Sequence, residues 1–537
     1  MRTWLNGLFL LLLAPGLALA ATGTFSDDEV AATPSVGTAQ ALDRQVAAPH
    51  TYNPISQVKA VAPRYTLDQV FAAINKNERA TMSRVRHIPF NDEAWYARWK
   101  MVSEAKQTID CTYYILDKDI FGQAYLGLLI RKAREGVKIR LMIDGRIYRT
   151  PYMKGMPDRI QELAAFPGVQ VKLYNSISHS LLHAITDFKG LFASNHDKII
   201  IADNKLSIIG GRNIGPDYFA DKGEYPIVYR DADILMEGPR IAASLKAAFD
   251  FEWNSKRNSV VKADRWNIKK QLDRLEIAAQ VMERYIKGRG LFVPSRTNLT
   301  DKQKEILTEL NGEISKFKNI SKYSSYVMWG RETPLPVKII DKYSSFGKMD
   351  GITPSLVAFF DAAREEIIIQ NPYVVLTQEA WQALRRASAR KVKIIFHSNS
   401  GASTDSLFPQ AFLMNDWKQM LAEMPTCRLY VAPSQNERLH SKTFVIDSKI
   451  TIIGSYNMDP LSQESNSEVV AAVNDVGFAR ETRDQIMKDM EVVFEYKIRI
   501  EPDGTITKVF GPEDHLDAKI LKRMNFYRKL KWIRPVI

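Results

Sequence analysis

Apolar and polar positions follow the same order twice along this 537-residue chain. In the first copy the apolar run Ile199-Ile200-Ile201-Ala202 is followed by Asp203-Asn204-Lys205 and a second run from Leu206 to Ile209. In the second copy Phe444-Val445-Ile446 and Ile450 to Ile453 flank Asp447-Ser448-Lys449. Aliphatic, β-branched runs on either side of a turn-forming triplet predict a β-hairpin. Upstream of each hairpin the pattern alternates. The first half predicts a helix capped at Asn91-Asp92-Glu93 and running to about Lys106, a strand over 109–115, a helix over 122–134 and a strand over 137–143. The second half predicts a helix over 356–364, a strand over 366–370, a helix over 378–389 and a strand over 391–396. Strand alternating with helix implies a largely parallel, helix-covered sheet in each half.

The ends and the middle of the chain have a different composition. Arg2 precedes an apolar run from Leu8 to Leu19, and Ala18-Leu19-Ala20 before Ala21 resembles a cleavage site, so residues 1–20 are expected to be a signal peptide. Residues 21–64 are rich in Ala, Thr, Ser and Pro and are expected to form a disordered linker. Lobes are expected at 65–255 and 331–495. They are separated by a helical connector at 256–330, where Ile268, Leu272, Leu275, Ala279, Met282 and Ile286 form an apolar stripe and Thr300 with Gln303 forms a capping box. Residues 496–537 are expected to be a basic amphipathic tail. Within it Lys522, Arg523, Arg528, Lys529 and Lys531 interleave with Ile520, Leu521, Phe526, Tyr527, Leu530, Trp532 and Ile533.

The candidate chemistry sits at the mouth of each hairpin. His196, Lys198, Asp203, Gly210 and Asn213 recur as His440, Lys442, Asp447, Gly454 and Asn457, each 244 positions later. If each copy is a strand, period-two alternation puts the His and Lys of that copy on one face. The small pairs Gly210-Gly211 and Gly454-Ser455 would let backbone approach a ligand, and Asn213 and Asn457 add amide donors. Imidazole, ammonium, amide and accessible backbone N–H together suit a phosphate. Two such sets facing each other supply what a double displacement at phosphorus needs. One neutral imidazole attacks, while the other protonates the departing alkoxide and then deprotonates the incoming alcohol or water. The paired lysines neutralise the developing charge, so neither metal nor cofactor is expected.

With these residues the chain resembles the phospholipase D superfamily, whose duplicated signature H-x-K-x4-D-x6-G-[GS]-x-N both copies match. Among its members the resemblance is to bacterial cardiolipin synthases of the type without N-terminal transmembrane helices. Gly210 to Phe219, Ser398-Asn399-Ser400, Ser403-Thr404-Asp405 and Gly454 to Pro460 are similar to segments of that group, with Leu461 where Arg is usual. The resemblance implies an α/β fold of two phospholipase D-like α/β/α lobes with pseudo-twofold symmetry and one active site at their junction. It implies His196 as nucleophile and His440 as general acid and then base, with Lys198, Lys442, Asn213, Asn457, Gly211 and Ser455 binding the phosphoryl group. It also implies carboxylates that orient the histidines, with Asp233 expected on His196 and Glu468 on His440. Asp203 and Asp447 are read as supports of the site.

The expected activity is phosphatidyl transfer or hydrolysis on membrane phospholipids through a phosphohistidine, with a metal-independent nuclease as the rival. A net charge of +13, from 74 basic and 61 acidic residues, fits an anionic partner. The expected partners are a phospholipid substrate and an anionic membrane surface, with no nucleic acid. The chain is expected to act as an exported, peripherally bound monomer. Cys111 and Cys427 are too few for a disulfide framework.

Overall fold

The computed structural model describes residues 62–74, 80–148, 156–175, 193–263, 268–294, 299–344, 349–531 and 534. The expected signal peptide and nearly all of the expected disordered linker lie outside these residues, as do Trp532 and Ile533 of the tail.

Each half of the chain builds a sheet with the same strand order. The first half contributes β1 (Thr81–Ile88), β2 (Thr108–Tyr113), β3 (Lys138–Asp144), β4 (Val169–Tyr174), β5 (Ile199–Ala202), β6 (Leu206–Gly210), a short β7 (Val228–Arg230), β8 (Asp233–Glu237) and β9 (Ser259–Val260). Backbone pairing arranges them β1-β8-β6-β5-β2-β3-β4, with β9 outside β4. The second half contributes β10 (Leu335–Lys342), β11 (Glu366–Gln370), β12 (Lys393–Asn399), β13 (Cys427–Ala432) and β14 (Glu437–Leu439). After them come β15 (Thr443–Ile446), β16 (Ile450–Gly454), β17 (Glu468–Asn474), β18 (Phe494–Ile500) and β19 (Ile506–Phe510). The order is β10-β17-β16-β15-β11-β12-β13, with β18 and β19 outside β13.

The expectation of a largely parallel sheet needs correction. Within the two large sheets, β2-β3-β4 and β11-β12-β13 run parallel, and each hairpin inserts antiparallel strands beside that trio. Most of the strand and helix positions read from the pattern are present, and the helices at Gln378–Ala389 and Asp301–Ile314 begin where the sequence places them.

The two sheets are joined at several places. Thr81 to Ser83 of β1 pair antiparallel with Leu335 to Val337 of β10. Short β7 and β14 pair in parallel, Tyr229 opposite Arg438 and Arg230 opposite Leu439. Between the sheets lies a shared core. Ile199, Ile209 and Ile234 from one lobe meet Val337, Ile453 and Val469 from the other, with Leu245 and Phe249 of the helix Pro239–Trp253. Burying apolar area removes it from water at roughly 25 cal/mol per Å², so this seam holds the two lobes as one unit.

The segment boundaries shift accordingly. The helix Leu67–Ala73, expected with the first lobe, buries Leu67, Val70 and Phe71 against Phe359 and Phe360 of the second. Lys338 donates to its carbonyl ends at Ala72 and Ile74. The helical connector is part of the first lobe's core: Leu275, Ala278 and Met282 pack with Trp95, Phe121 and Leu128. The expected tail begins inside β18, and its helix Ala518–Tyr527 seats Met524 beside Met414 and Leu516. Cys111 and Cys427 are free and buried.

Candidate active site

In the structure the motif histidines and lysines are not on strands. His196 and Lys198 precede β5, and His440 and Lys442 precede β15, in extended approach segments at the lobe junction. Each approach runs alongside the other lobe. Asn195 bridges Ser467 in parallel, with His196 N–H donating to the Ser467 carbonyl (3.3 Å) and Ser467 N–H to the Ser194 carbonyl (3.0 Å). On the other side Leu439 pairs with Arg230, and His440 N–H donates to the Arg230 carbonyl (2.8 Å). Asp144 accepts from Asn195 N–H (3.0 Å), and Asn399 bonds both polar backbone groups of Leu439, so equivalent strand ends of β3 and β12 pin the approaches.

This crossing decides the partners of the imidazoles. His196 Nδ1 lies 3.0 and 3.1 Å from the two oxygens of Glu468, and His440 Nδ1 lies 2.7 Å from Asp231. Both expected orienting assignments are therefore corrected: Glu468 holds His196 rather than His440, and Asp233 holds neither. Strand register gives the reason. Gly210 pairs with Asp233 and Gly454 with Val470, so Asp231, two residues earlier, is the counterpart of Glu468. Asp233 points the other way and binds Arg98 (2.8 Å) and Arg212 (2.9 Å), all three fully buried. Arg212 also donates to the Asp231 carbonyl (2.6 Å), so the arginine of Gly210-Gly211-Arg212-Asn213 fixes the acid that holds His440.

With both Nδ1 atoms occupied, both Nε2 atoms are left for chemistry. His196 and His440 both lie on approach segments at the lobe junction, and the charges of His440 and Lys442 disfavour protonation of His196. Lys198 donates to the His196 carbonyl (2.6 Å), and Lys442 donates to that of His440. Lys442 Nζ is also 3.0 Å from His440 Nδ1, but that nitrogen carries the proton given to Asp231, so the ammonium is a neighbour there rather than its donor. Tyr114 lies edge-on to His196 at 5.5 Å, and Tyr218 and Tyr229 cover His440 at 5.4 and 5.2 Å.

The expected phosphate-binding set divides. Gly211 N–H donates to the Ala232 carbonyl (3.3 Å) and Ser455 N–H to Val469 (3.0 Å), so neither amide is open to a ligand. These positions are small for another reason. A Cβ on Gly211 would collide with the Asp231 carboxylate, and one on Gly454 with the Val469 carbonyl. Ser455 instead donates its hydroxyl to Glu468 (2.5 Å), as Ser462 does (2.7 Å). Asn213 accepts from Ile115 N–H (3.1 Å) and donates to the Tyr218 hydroxyl (3.0 Å), positioning the ring over His440. Asn457 keeps a buried amide oxygen without a partner.

Asp203 and Asp447 sit at the far ends of β5 and β15, roughly 20 Å along the strand from the histidines at about 3.3 Å per residue. Asp203 accepts from the N–H groups of Lys106, Gln107 and Thr108 (2.8, 2.6 and 3.0 Å). Asp447 accepts identically from Arg364, Glu365 and Glu366 (2.8, 2.8 and 2.9 Å). They tie the hairpin turns to the starts of β2 and β11. A cavity of about 440 Å³ lined by Glu366, Asp447, Arg480 and Arg483 lies at this turn end, away from the histidines.

The electrostatics of the two histidine pairs differ. Burial, with Lys198 and Lys442, holds His196 well below the usual histidine range, and burial pushes Glu468 up, so this pair leans towards its uncharged forms. Burial also pushes Asp231 up, but His440, Lys442 and Arg212 outweigh it and hold the carboxyl at about 2. His440 is lowered by burial and by Lys442, and Asp231 pulls the other way, towards the imidazolium. Burial brings Lys198 down to about 7. Among the described residues no group of three His, Cys, Asp or Glu side chains is placed to hold a metal ion.

Asp231, Ser462 and the three tyrosines are missing from the sequence-derived site. Asp231 was legible only as the acid two residues before Asp233, Tyr218 only as part of the Gly210 to Phe219 segment, and Tyr114 and Tyr229 carry no local mark.

Residues 99–253 and 356–495 match the family described as cardiolipin synthase, PLD-like domain, together more than half of the chain. Cardiolipin synthase C of Escherichia coli (strain K12) is 28% identical over 405 residues, 70% of this chain and 78% of that protein. Cardiolipin synthase A of Pseudomonas aeruginosa (strain LESB58) is 21% identical over 468 residues, 85% of this chain and 74% of that protein. The crystal structure of phosphatidylserine synthase from Haemophilus influenzae Rd KW20 shares the fold at a TM-score of 0.59, with 11% identity over 88% of this chain and 99% of that one. Two matched domains, one pair of crossed histidines and a shared core between the lobes make the chain a member of the phospholipase D superfamily, an enzyme of the cardiolipin synthase-like kind.

Proposed function

We propose that the protein transfers a phosphatidyl group between alcohols of membrane lipids through a phosphohistidine. The observation that carries this reading is the unlike pairing of the two imidazoles. His196 is favoured as the neutral base a nucleophile must be, whereas His440, on a carboxylate held at about 2, is the ring better able to carry a proton. In the first half-reaction His196 Nε2 attacks phosphorus and His440 protonates the departing headgroup oxygen. In the second, His440 takes the proton of the incoming alcohol, whose oxygen attacks phosphorus as the P–N bond breaks. Lys198, Lys442 and Asn457 hold the phosphoryl oxygens, while Asn213 acts through Tyr218. The similarity to cardiolipin synthases supports cardiolipin as the product.

The surface supports a lipid rather than a nucleic-acid partner. On the helix Ala518–Tyr527 the side opposite Met524 exposes Lys519, Lys522 and Phe526 (61% exposed), with Lys529 following on. An aromatic ring among lysines suits an anionic bilayer. Among the described residues no helix is long and apolar enough to cross a membrane. The apolar run at Leu8 to Leu19 supports export, so the enzyme would meet its lipid from the non-cytoplasmic side.

The test is incubation of the purified protein with mixed phospholipid vesicles, followed by mass spectrometry. Cardiolipin is the expected product; phosphatidic acid alone would make the enzyme a hydrolase. DNA cleavage without lipid turnover would establish the nuclease. Rapid quench and denaturation at alkaline pH, where the P–N bond survives, should trap phosphorus on wild-type protein and not on His196→Ala.

A further inference from the structure

Next to His440 the structure assembles polar groups that the double displacement leaves unused. Asp405 lies in the turn after β12, half-buried, and accepts from the Tyr373 hydroxyl (2.6 Å). That turn is fixed from behind. Ser403 donates to the Ala432 carbonyl (2.8 Å), and Ser400 N–H to Ser403 (2.9 Å). Asn399 ties the same region to the catalytic approach, bonding Leu439 at both backbone groups and the carbonyl of Pro372, the neighbour of Tyr373. Asp405 is thus built to the same frame as His440, and its charge reaches both His440 and Lys442. The other wall is aromatic: Tyr229 stacks on Tyr218 at 4.7 Å, and both rings face His440. Arg438 stands opposite Tyr229 across the β7–β14 pair and bonds its hydroxyl.

A carboxylate here is unfavourable for the phosphate itself, because it adds negative charge beside a developing anion. Its use must lie with a neutral donor of hydrogen bonds. An ionised carboxyl group accepts only, and its two oxygens match a pair of adjacent hydroxyls. The C–H face of such a polyol fits the Tyr218–Tyr229 wall.

We propose that Asp405, held by Tyr373, is the specificity-determining residue of an acceptor subsite on the His440 side, which takes alcohols with neighbouring hydroxyls. This rests on the phosphatidyl-transfer reading. One hydroxyl of the acceptor binds Asp405. The adjacent one gives its proton to His440 Nε2 and attacks phosphorus, and the bond to His196 breaks to release the neutral imidazole.

The ratio of alcohol to water as acceptor is set after the shared phosphohistidine, and both acceptors use His440 as base. A change in the charge of His440 therefore leaves it unaltered, and only a contact with the alcohol moves it. Vesicles of phosphatidylethanolamine are incubated with labelled glycerol or with ethanol, and labelled phosphatidylglycerol, phosphatidylethanol and phosphatidic acid are counted by mass spectrometry. Wild-type enzyme should prefer glycerol to ethanol. Asp405→Asn should lose about tenfold of that preference, as expected for a hydrogen bond to a charged group. Tyr373→Phe, which removes only the hydroxyl that holds Asp405, should lose a smaller part. No preference in the wild type, or an unchanged preference in both variants, overturns the subsite. Absence of any phosphatidyl product from the wild-type enzyme overturns the parent reading instead, and the subsite with it.

Discussion

At the scale of single residues, two aspartates two positions apart have opposite duties. Asp231 faces His440, whereas Asp233 faces Arg98 and Arg212. Asp231→Asn should therefore lower turnover by ~10²–10⁴-fold, because it removes the acceptor that fixes the tautomer and favours the imidazolium. It should also move the basic limb of the pH–rate profile to lower pH and leave the acid limb, set by His196, in place. Asp231 carries a stability signature as well. Its carboxyl is held at about 2 against an ordinary 3.8, so it adds about 2 kcal/mol that is present above pH 3.8 and lost as pH falls towards 2. Urea unfolding should show wild type and Asp231→Asn differing at neutral pH and converging near pH 2. Asp233→Asn should act on folding: breaking a buried ion pair from one side costs about 3–5 kcal/mol. Its signature is a large fall in Tm, whereas an unchanged Tm with lost activity would mean that Asp233 serves the site directly.

At the scale of elements, the hairpin turns are anchored identically in both lobes. Asp203 and Asp447 adopt left-handed backbone, with φ of 53° and 50°, while each accepts from three N–H groups. Replacing either by Ala strands those donors and removes the short polar side chain that makes left-handed backbone tolerable for Asp, a loss of roughly 2–3 kcal/mol. Thermal unfolding should show similar penalties for the two variants. The pH optimum of the folded fraction should be unchanged, because neither carboxylate reaches the histidines. The approach segments behave differently. They gain their conformation from bonds to the opposite lobe, His196 to Ser467 and His440 to Arg230, together with Asp144 and Asn399 at the strand ends of their own lobes, so their geometry is a property of the junction and not of either hairpin.

At the scale of the whole molecule, the basic helix lies beside the site. Tyr527 stacks on Phe408 at 4.2 Å, three residues after Asp405, so a membrane meeting Phe526 and its lysines would present lipid close to the acceptor side. Phe526→Ala with Lys519, Lys522 and Lys529 changed to Gln should weaken sedimentation with anionic vesicles, at about 1 kcal/mol per lysine at low salt. Wild-type binding should itself fade as ionic strength rises. Equal binding by the variant would move the membrane face elsewhere.

The sequence by itself determined the duplication, the hairpins and the ten motif residues from His196 to Asn457, because these depend on residue type at fixed spacing and on local periodicity. The resemblance also marked Asp203 and Asp447 as supports, but the N–H groups they bind lie 81 to 97 residues away in the chain and were set by the fold. Only the tertiary structure decided which acid holds which histidine, why Gly211 is small, and which lobe the helix at Leu67 covers. Those facts arise where segments far apart in sequence run side by side. The loop from Asn213 to Asp231 is longer than that from Asn457 to Glu468, so counting along the chain misplaces the acid, whereas strand register places it.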